Sequence, residues 1–473
     1  LSTATLHDLR TPTRPPSGLR ELYRLTRASR YSEVGEYGPV IAAIALEGTT
    51  TPNHQGLFGV VFGRDALRVA LELVTQHPLL AQSTLRRLAE TQGVTYDTSR
   101  EEEPGRIAHE IRDPTDPIAE RLTAERGWGW PYYGSVDATP QFIRTLAAYC
   151  QTNDPTGRLL SVAYIDRTGT QRTLASALIA AVNWLRTRLD ASPLGVLEYK
   201  STLPHGIENQ VWKDSWDAYH HADGHLAHHS QGIAALEVQT VTHDALLDAA
   251  DLYERLLNRP HEAHELQERA AYLSETILTK FWTEEKGGYF VLGLDYGHDG
   301  TPRQLRIRTS NMGHVLNSRV IDGDDPEKAH KRAAIFRQLN SPELLSISGI
   351  RTLASDETRY REGAYHNGSV WIWDTHHIAK GARRHATEPA FAAFAQELDR
   401  RILRVVDAIG SFPEYVRGGD SIAINTHTID VEDTMYHRIN RVEQPPQEVQ
   451  AWTVAAILTT KYRNRRASRL VQG

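Results

Sequence analysis

Apolar residues in this 473-residue chain recur mostly at spacings of three and four, the period of one helix face. The pattern predicts helices over 66–75, 79–91, 140–151, 174–189, 231–257, 260–282, 326–339, 370–383, 388–409 and 447–462. Pro260 and Pro326 suit first-turn positions, where the missing N–H has no helical partner to lose. Gly410 suits a helix stop. Asp-Pro at 113–114 and 154–155, and Ser-Pro at 341–342, mark turns. Strand signals are short, at 288–294 and 162–165, and read as hairpins on loops. Helices spread over the whole length, without a break in composition, predict one all-α domain after a Thr/Pro-rich lead-in at 1–20. Such a chain either stacks as a solenoid or closes into a ring of helix pairs. No fixed-period repeat is visible, which disfavours the solenoid. A ring gathers its loops at one mouth, and the polar, aromatic-rich segments lie at helix starts and in loops.

Composition narrows the function classes. The chain is 40% hydrophobic and 24% charged with net charge −6, the profile of a soluble globular protein. No basic block supports a nucleic-acid or membrane-surface partner; the basic stretch 461–466 reads as a solvated helix end. Cys150 is the single cysteine, so no internal disulfide forms and a reducing, cytoplasmic location is expected. No apolar run approaches the roughly 18 residues of a membrane span. The first residues are polar without a signal-peptide core, so none is expected. No cofactor or metal is expected, and the oligomeric state is left open.

Two segments carry carboxylates among aromatics: Trp212-Lys213-Asp214-Ser215-Trp216-Asp217 and Ser411-Phe412-Pro413-Glu414-Tyr415. Glycoside hydrolysis needs one carboxyl group to protonate the leaving oxygen and a second to activate water or attack the sugar. Apolar neighbours raise a carboxyl pKa, which suits an acid working near neutral pH. Each segment also has a plainer reading, Asp214 or Ser215 as a helix cap and Glu414 as an ordinary loop residue. Phe62-Gly63-Arg64-Asp65 opens a helix; the Arg-Asp pair can grip sugar hydroxyls, or Asp65 can cap. Asp137, before Pro140, can cap a helix or bind a hydroxyl. Glu101 through His109-Glu110 reads as a charged loop, and His109 has no second histidine at i+4 to share a metal. Trp130 and Tyr133 offer flat faces for sugar C–H groups. Tyr365-His366-Asn367 with Trp371 suits either sugar recognition or core packing. Five histidines and Asp223 between 220 and 229 match no ligand spacing and read as a polar loop.

Taken together, these segments resemble bacterial amylo-α-1,6-glucosidase-like and mannosylglycerate-hydrolase-like glycoside hydrolases of the glucoamylase-like group. The matching residues are 62–65, 103–110, 133–140, 212–215, 349–353, 365–371, 412–415 and Gln450-Ala451-Trp452, in order over most of the chain. The resemblance implies an (α/α)6 barrel over 21–473 and exo-acting, inverting hydrolysis of a terminal α-glycosidic bond, most simply α-glucosidic. Asp214 would be general acid and Glu414 general base. Arg64, Asp65, Phe62, Glu103, His109, Glu110, Trp130, Tyr133, Asp137, Trp212, Lys213, Tyr365, His366, Asn367, Trp371, Gln450 and Trp452 would line the substrate pocket or its rim. The partner would be a small oligosaccharide or glycoside. The alternative on the same fold is a glucosylglycerate or mannosylglycerate hydrolase, with a cation from the 417–441 region meeting the glycerate. A non-catalytic sugar-binding protein is a further reading, disfavoured by the paired carboxylates. The chain departs from the resemblance in its His-rich segment after Asp214 and in a polar insert near 417–446.

Overall fold

The computed structural model describes residues 17–27, 37–46, 57–424, 428–433, 438–443 and 445–472. Its helices are α1 (Gly18–Arg27), α2 (Gly63–Leu73), α3 (Pro78–Glu90), α4 (Pro117–Arg126), α5 (Ala138–Asn153), α6 (Leu174–Ala191) and α7 (Leu236–Arg255). They continue as α8 (Pro260–Lys280), α9 (Met312–Leu316), α10 (Pro326–Leu339), α11 (Ile372–Arg384), α12 (Pro389–Ile409) and α13 (Ala451–Gln472). Helices α2, α5, α7, α9, α11 and α13 pack in a closed ring, α13 returning to α2. Each ring helix carries an outer partner: α3 on α2, α6 on α5, α8 on α7, α10 on α9, α12 on α11 and α1 on α13. The architecture is therefore a toroid of helix pairs, as the all-α pattern predicts.

Burial separates the two layers. Outer helix α12 buries Phe391, Phe394, Leu398, Ile402 and Val405, one face at helical spacing, as expected of an amphipathic surface helix. Inner helix α7 is buried on nearly every face and includes Glu237, Gln239, His243 and Asp244 among its buried residues. Polar groups enclosed in this way need partners, and they find them across the ring: Asn311 Nδ2 donates to Glu237 at 2.7 Å, and His314 Nε2 meets Asp374 at 2.6 Å.

Two-residue strands precede four inner helices and set where each begins. Val61–Phe62 pairs with Glu110–Ile111, Ala234–Ala235 with Gly293–Leu294, Val370–Trp371 with Tyr415–Val416, and Val449–Gln450 with Ala43–Ile44, all antiparallel. These pairings correct the sequence boundaries. The periodic stretches 231–257, 370–383 and 447–462 begin too early, because a ladder demands extended backbone just before the helix. Periodicity also misses α1, α4 and α9; α9 has five residues, too few to show a period. Helix α1 starts inside the expected lead-in, whose residues 1–16 lie outside the described residues. The insert contains a hairpin, Thr428–Asp433 against Arg438–Glu443. Among the described residues, no helix is long and apolar enough to cross a membrane.

Candidate active site

The inner helices begin at a common mouth, so residues distant in sequence meet there. Gly63 opens α2 with no side chain; a Cβ on it would stand 2.1 Å from the Ala108 carbonyl oxygen. That close approach lets the Gly63 N–H donate to His109 O at 2.8 Å and aims the next two residues inward. Arg64 is 2% exposed. Its Nε donates to Asp137 Oδ2 at 2.7 Å, and its Nη1 lies 3.5 Å from Asp214 Oδ2. Asp137 immediately precedes α5 but makes no side-chain cap; its other oxygen accepts from Ser135 Oγ at 2.8 Å.

Asp214 sits on the loop after Trp212, whose ring is packed edge-on against His366, Trp371 and Trp373. The Asp214 side chain keeps 32% of its surface exposed, so solvent reaches the carboxyl. Burial against these walls, opposed by Arg64 and reinforced by Asp137, pushes its pKa up to about 6. Beside it, Ser215 N–H donates to His366 Nδ1 at 3.3 Å, and Ser215 Oγ lies 2.9 Å from the same nitrogen. Burial, Lys213 and Arg64 hold His366 well below its ordinary range, so the ring is neutral.

Glu414 reaches the site from the loop after α12. Tyr365 Oη donates to its Oε1 at 2.6 Å and the Gln447 N–H to its Oε2 at 3.0 Å. Burial raises its pKa to about 7; the two donors oppose that rise and Asp214 adds to it. Asp65 is likewise raised to about 7, by burial first, with Arg64 opposing and Asp214 and Glu414 contributing. Three carboxylates on α2, the 214 loop and the 414 loop thus feel one another electrostatically. Such a group, placed among aromatics with donors aimed at one member, is equipped for acid–base chemistry at a glycosidic oxygen.

Residues 64–420 match the family described as the mannosylglycerate hydrolase MGH1-like glycoside hydrolase domain. The chain belongs to this family of glycoside hydrolases. No curated protein matches the sequence. The GH63 mannosylglycerate hydrolase from Thermus thermophilus is similar in structure in its complexes with Tris (TM-score 0.59, 14% identity), with glucose (0.59, 15%) and with Tris and D-glycerate (0.58, 15%). Each match covers 94% of this chain and 98% of the other. At such identities the likeness speaks to the fold, the (α/α) toroid with small hairpins.

Within this glycoside hydrolase, the expected pocket residues divide. Arg64, Asp65, Asp137, Asp214, Tyr365, His366 and Glu414 come together as described. Gln450 Nε2 lies 3.5 Å from Asp65, and Asn367 Nδ2 donates to Asp217 O at 3.0 Å. Trp371 and Trp452 form an aromatic wall with Trp373 and are almost fully buried. Phe62 and His109 stand edge-to-face behind Arg64, and burial together with Arg64 and Arg106 keeps His109 neutral.

Other expected pocket residues turn elsewhere. Glu103 accepts from Trp184 Nε1 at 2.6 Å on α6 and faces a separate cleft with Glu101 and Arg188. Glu110 pairs with Arg112. Trp130 packs under α4 with Trp128 and Tyr132, and Tyr133 Oη donates to Thr91 O inside the core. Lys213 is buried and donates to Thr352 O at 2.7 Å. Aromatic residues on a loop read alike whether they face a cavity or a core, so the sequence does not separate these cases. Two histidines of the 220–229 segment tie that loop to the 293–296 strand, His221 to Asp295 at 3.0 Å and His228 to Tyr296 O at 2.9 Å. The pairs Glu237–Asn311 and His314–Asp374, and Arg68 stacked 4.0 Å over Trp373, escape the sequence reading. Their signal is polarity on an inner helix, visible only once inner and outer helices are told apart.

Proposed function

We propose that this glycoside hydrolase cleaves a small α-glycoside with an anionic aglycone, a glucosylglycerate or mannosylglycerate, rather than a neutral α-glucoside. Asp214 acts as general acid and Glu414 as general base on a water, with inversion, and residues 21–473 serve as one catalytic unit. The observation that carries the acid–base assignment is the contrast between the two carboxyls' partners. Glu414 accepts two hydrogen bonds, from Tyr365 and Gln447, which oppose the rise that burial imposes on its pKa and fix the carboxylate where it can hold a water. Asp214 is partly exposed, so it can meet a leaving oxygen. The pair is electrostatically coupled, so its two titrations belong to both groups.

Family membership and the Thermus thermophilus enzyme's complexes with glucose and D-glycerate support the glycosylglycerate reading over the α-glucosidase one. A cation also lies beside the acid's loop: the Arg359 guanidinium is 5.8 Å from the Trp216 ring, two residues after Asp214. Arg417, the first candidate in the insert, is paired with Glu362 at 2.7 Å; the insert side chains of 425–444 lie outside the described residues. Arg64 Nη2, His366 Nε2 and Trp452 Nε1 are buried donors that bond to no described residue. Sugar hydroxyls would satisfy such groups.

Proton NMR of the anomeric region, with purified protein and a panel of α-glucosides, α-mannosides and glycosylglycerates, tests the proposal. β-Sugar appearing first from a glycosylglycerate supports it, and α-sugar appearing first overturns inversion. Preference for neutral glycosides overturns the anionic aglycone. Asp214→Asn and Glu414→Gln are each expected to lower turnover by orders of magnitude in a folded protein.

A further inference from the structure

The acid Asp214 stands beside a buried guanidinium, and that is a chemical problem. An arginine 3.5 Å from a carboxyl favours its ionised form, which cannot protonate a leaving group. The structure contains an answer on a third element. We propose that Asp137 is a positioning residue that neutralises Arg64, so that Arg64 steers the Asp214 carboxyl without stripping its proton. This inference rests on Asp214 being the general acid.

Three observations support it. Asp137 holds Arg64 at 2.7 Å, a shorter contact than Asp214 makes, and the two side chains are 5% and 2% exposed. Asp137 is itself fixed by Ser135 Oγ at 2.8 Å, and it forgoes the cap of α5 that its position offers. Its charge also acts on Asp214 directly, in the direction that keeps the proton.

The charged and titratable groups facing Asp214 come from several elements. Arg64 and Asp65 lie on α2, Asp137 before α5, Tyr365 and His366 on the 365 loop, and Glu414 on its own loop. His366 is neutral and Tyr365 donates to Glu414. Asp65 and Glu414 both repel a charge on Asp214. Among these groups Arg64 alone pulls the proton away, and Asp137 is bonded to it.

The test is Asp137→Asn, assayed over pH on two leaving groups. One substrate is the glycosylglycerate, which needs protonation; the other is the matching α-glycosyl fluoride, whose leaving group needs little. The basic limb of kcat/KM for the glycosylglycerate is expected to move down by about one pH unit, a loss on the order of tenfold above neutral pH. The fluoride reaction should lose much less, and KM should change little. Adding Arg64→Gln removes the cation as well and should return the basic limb toward or above its wild-type position. A uniform rise in KM on both substrates, with the basic limb unmoved, would overturn the inference and make Asp137 a sugar ligand. An unchanged profile in a folded variant would also overturn it. If Asp137→Asn does not fold, the limb of the Arg64→Gln/Asp137→Asn protein decides, and a limb below wild type counts against the proposal. Wild-type protein inactive on both substrates would instead reject the proposed function on which the inference rests.

Discussion

Tyr365 Oη donates to Glu414 Oε1 at 2.6 Å, across 49 residues of sequence. The tyrosine is braced as a strut: its ring packs edge-on against Trp371 at 5.0 Å and Tyr415 at 5.2 Å, and its carbonyl accepts from Trp371 Nε1 at 2.9 Å. The bond lowers the pKa that burial raises in Glu414. With Glu414 as the proposed base, Tyr365→Phe should therefore raise its pKa further and move the acidic limb of kcat/KM upward, because a base must be ionised to act. Turnover should fall more than substrate affinity. A pH–rate profile checks this; an unmoved acidic limb would count against the strut.

The raised carboxylates also make stability depend on pH. Asp65 has a folded pKa of about 7, against about 3.9 unfolded, so the folded chain holds this proton more tightly. Its contribution is fully present below the unfolded value and is lost as pH rises through the folded one. An asparagine has no such loss. The thermal midpoint of Asp65→Asn minus that of wild type should grow between pH 4 and pH 8, while activity falls. Thermal scans at both pH values decide; a gap that is flat or shrinks means the carboxylate is not strained by burial.

Trp371 is 2% exposed, which leaves little surface for a sugar to stack on. It stacks instead on His366 at 5.2 Å and on Tyr415 at 5.5 Å. Trp371→Ala should cost about 3–5 kcal/mol of stability, read by denaturant unfolding, and activity should fall because Tyr365 and His366 lose their support. A variant as stable as wild type but weaker in KM would make this ring a substrate platform after all.

Gly63 has no room for a methyl group, with the Ala108 carbonyl oxygen 2.1 Å from where a Cβ would sit. Gly63→Ala should push the start of α2 away from the 108–111 segment, cost about 1–3 kcal/mol, and misplace Arg64 and Asp65. A loss of kcat/KM on the order of tenfold or more is expected. Steady-state kinetics beside a thermal scan would detect it, and unchanged kinetics would show that α2 tolerates the shift.

What the sequence determined by itself was the helical class, most helix positions, and the two carboxylate segments. Apolar spacing within one helix is a local signal, as is a carboxylate between aromatics. Pro260, Pro326 and Gly410 mark helix ends in the structure at the positions their backbone chemistry requires. The ring closure of α13 onto α2, by contrast, joins segments far apart in the chain, and no local period encodes it. Two-residue strands such as Val370–Trp371 escape for the same reason, since their partners lie tens to hundreds of residues away. Tertiary structure alone sorted Trp130, Tyr133, Glu103 and Lys213 into the core or another cleft, and Tyr365 and Asp137 into the carboxylate cluster. A side chain's type limits the contacts it can make, but only the packing of separate helices chooses the partner, and burial by that packing sets the protonation of Asp65, Asp214 and Glu414.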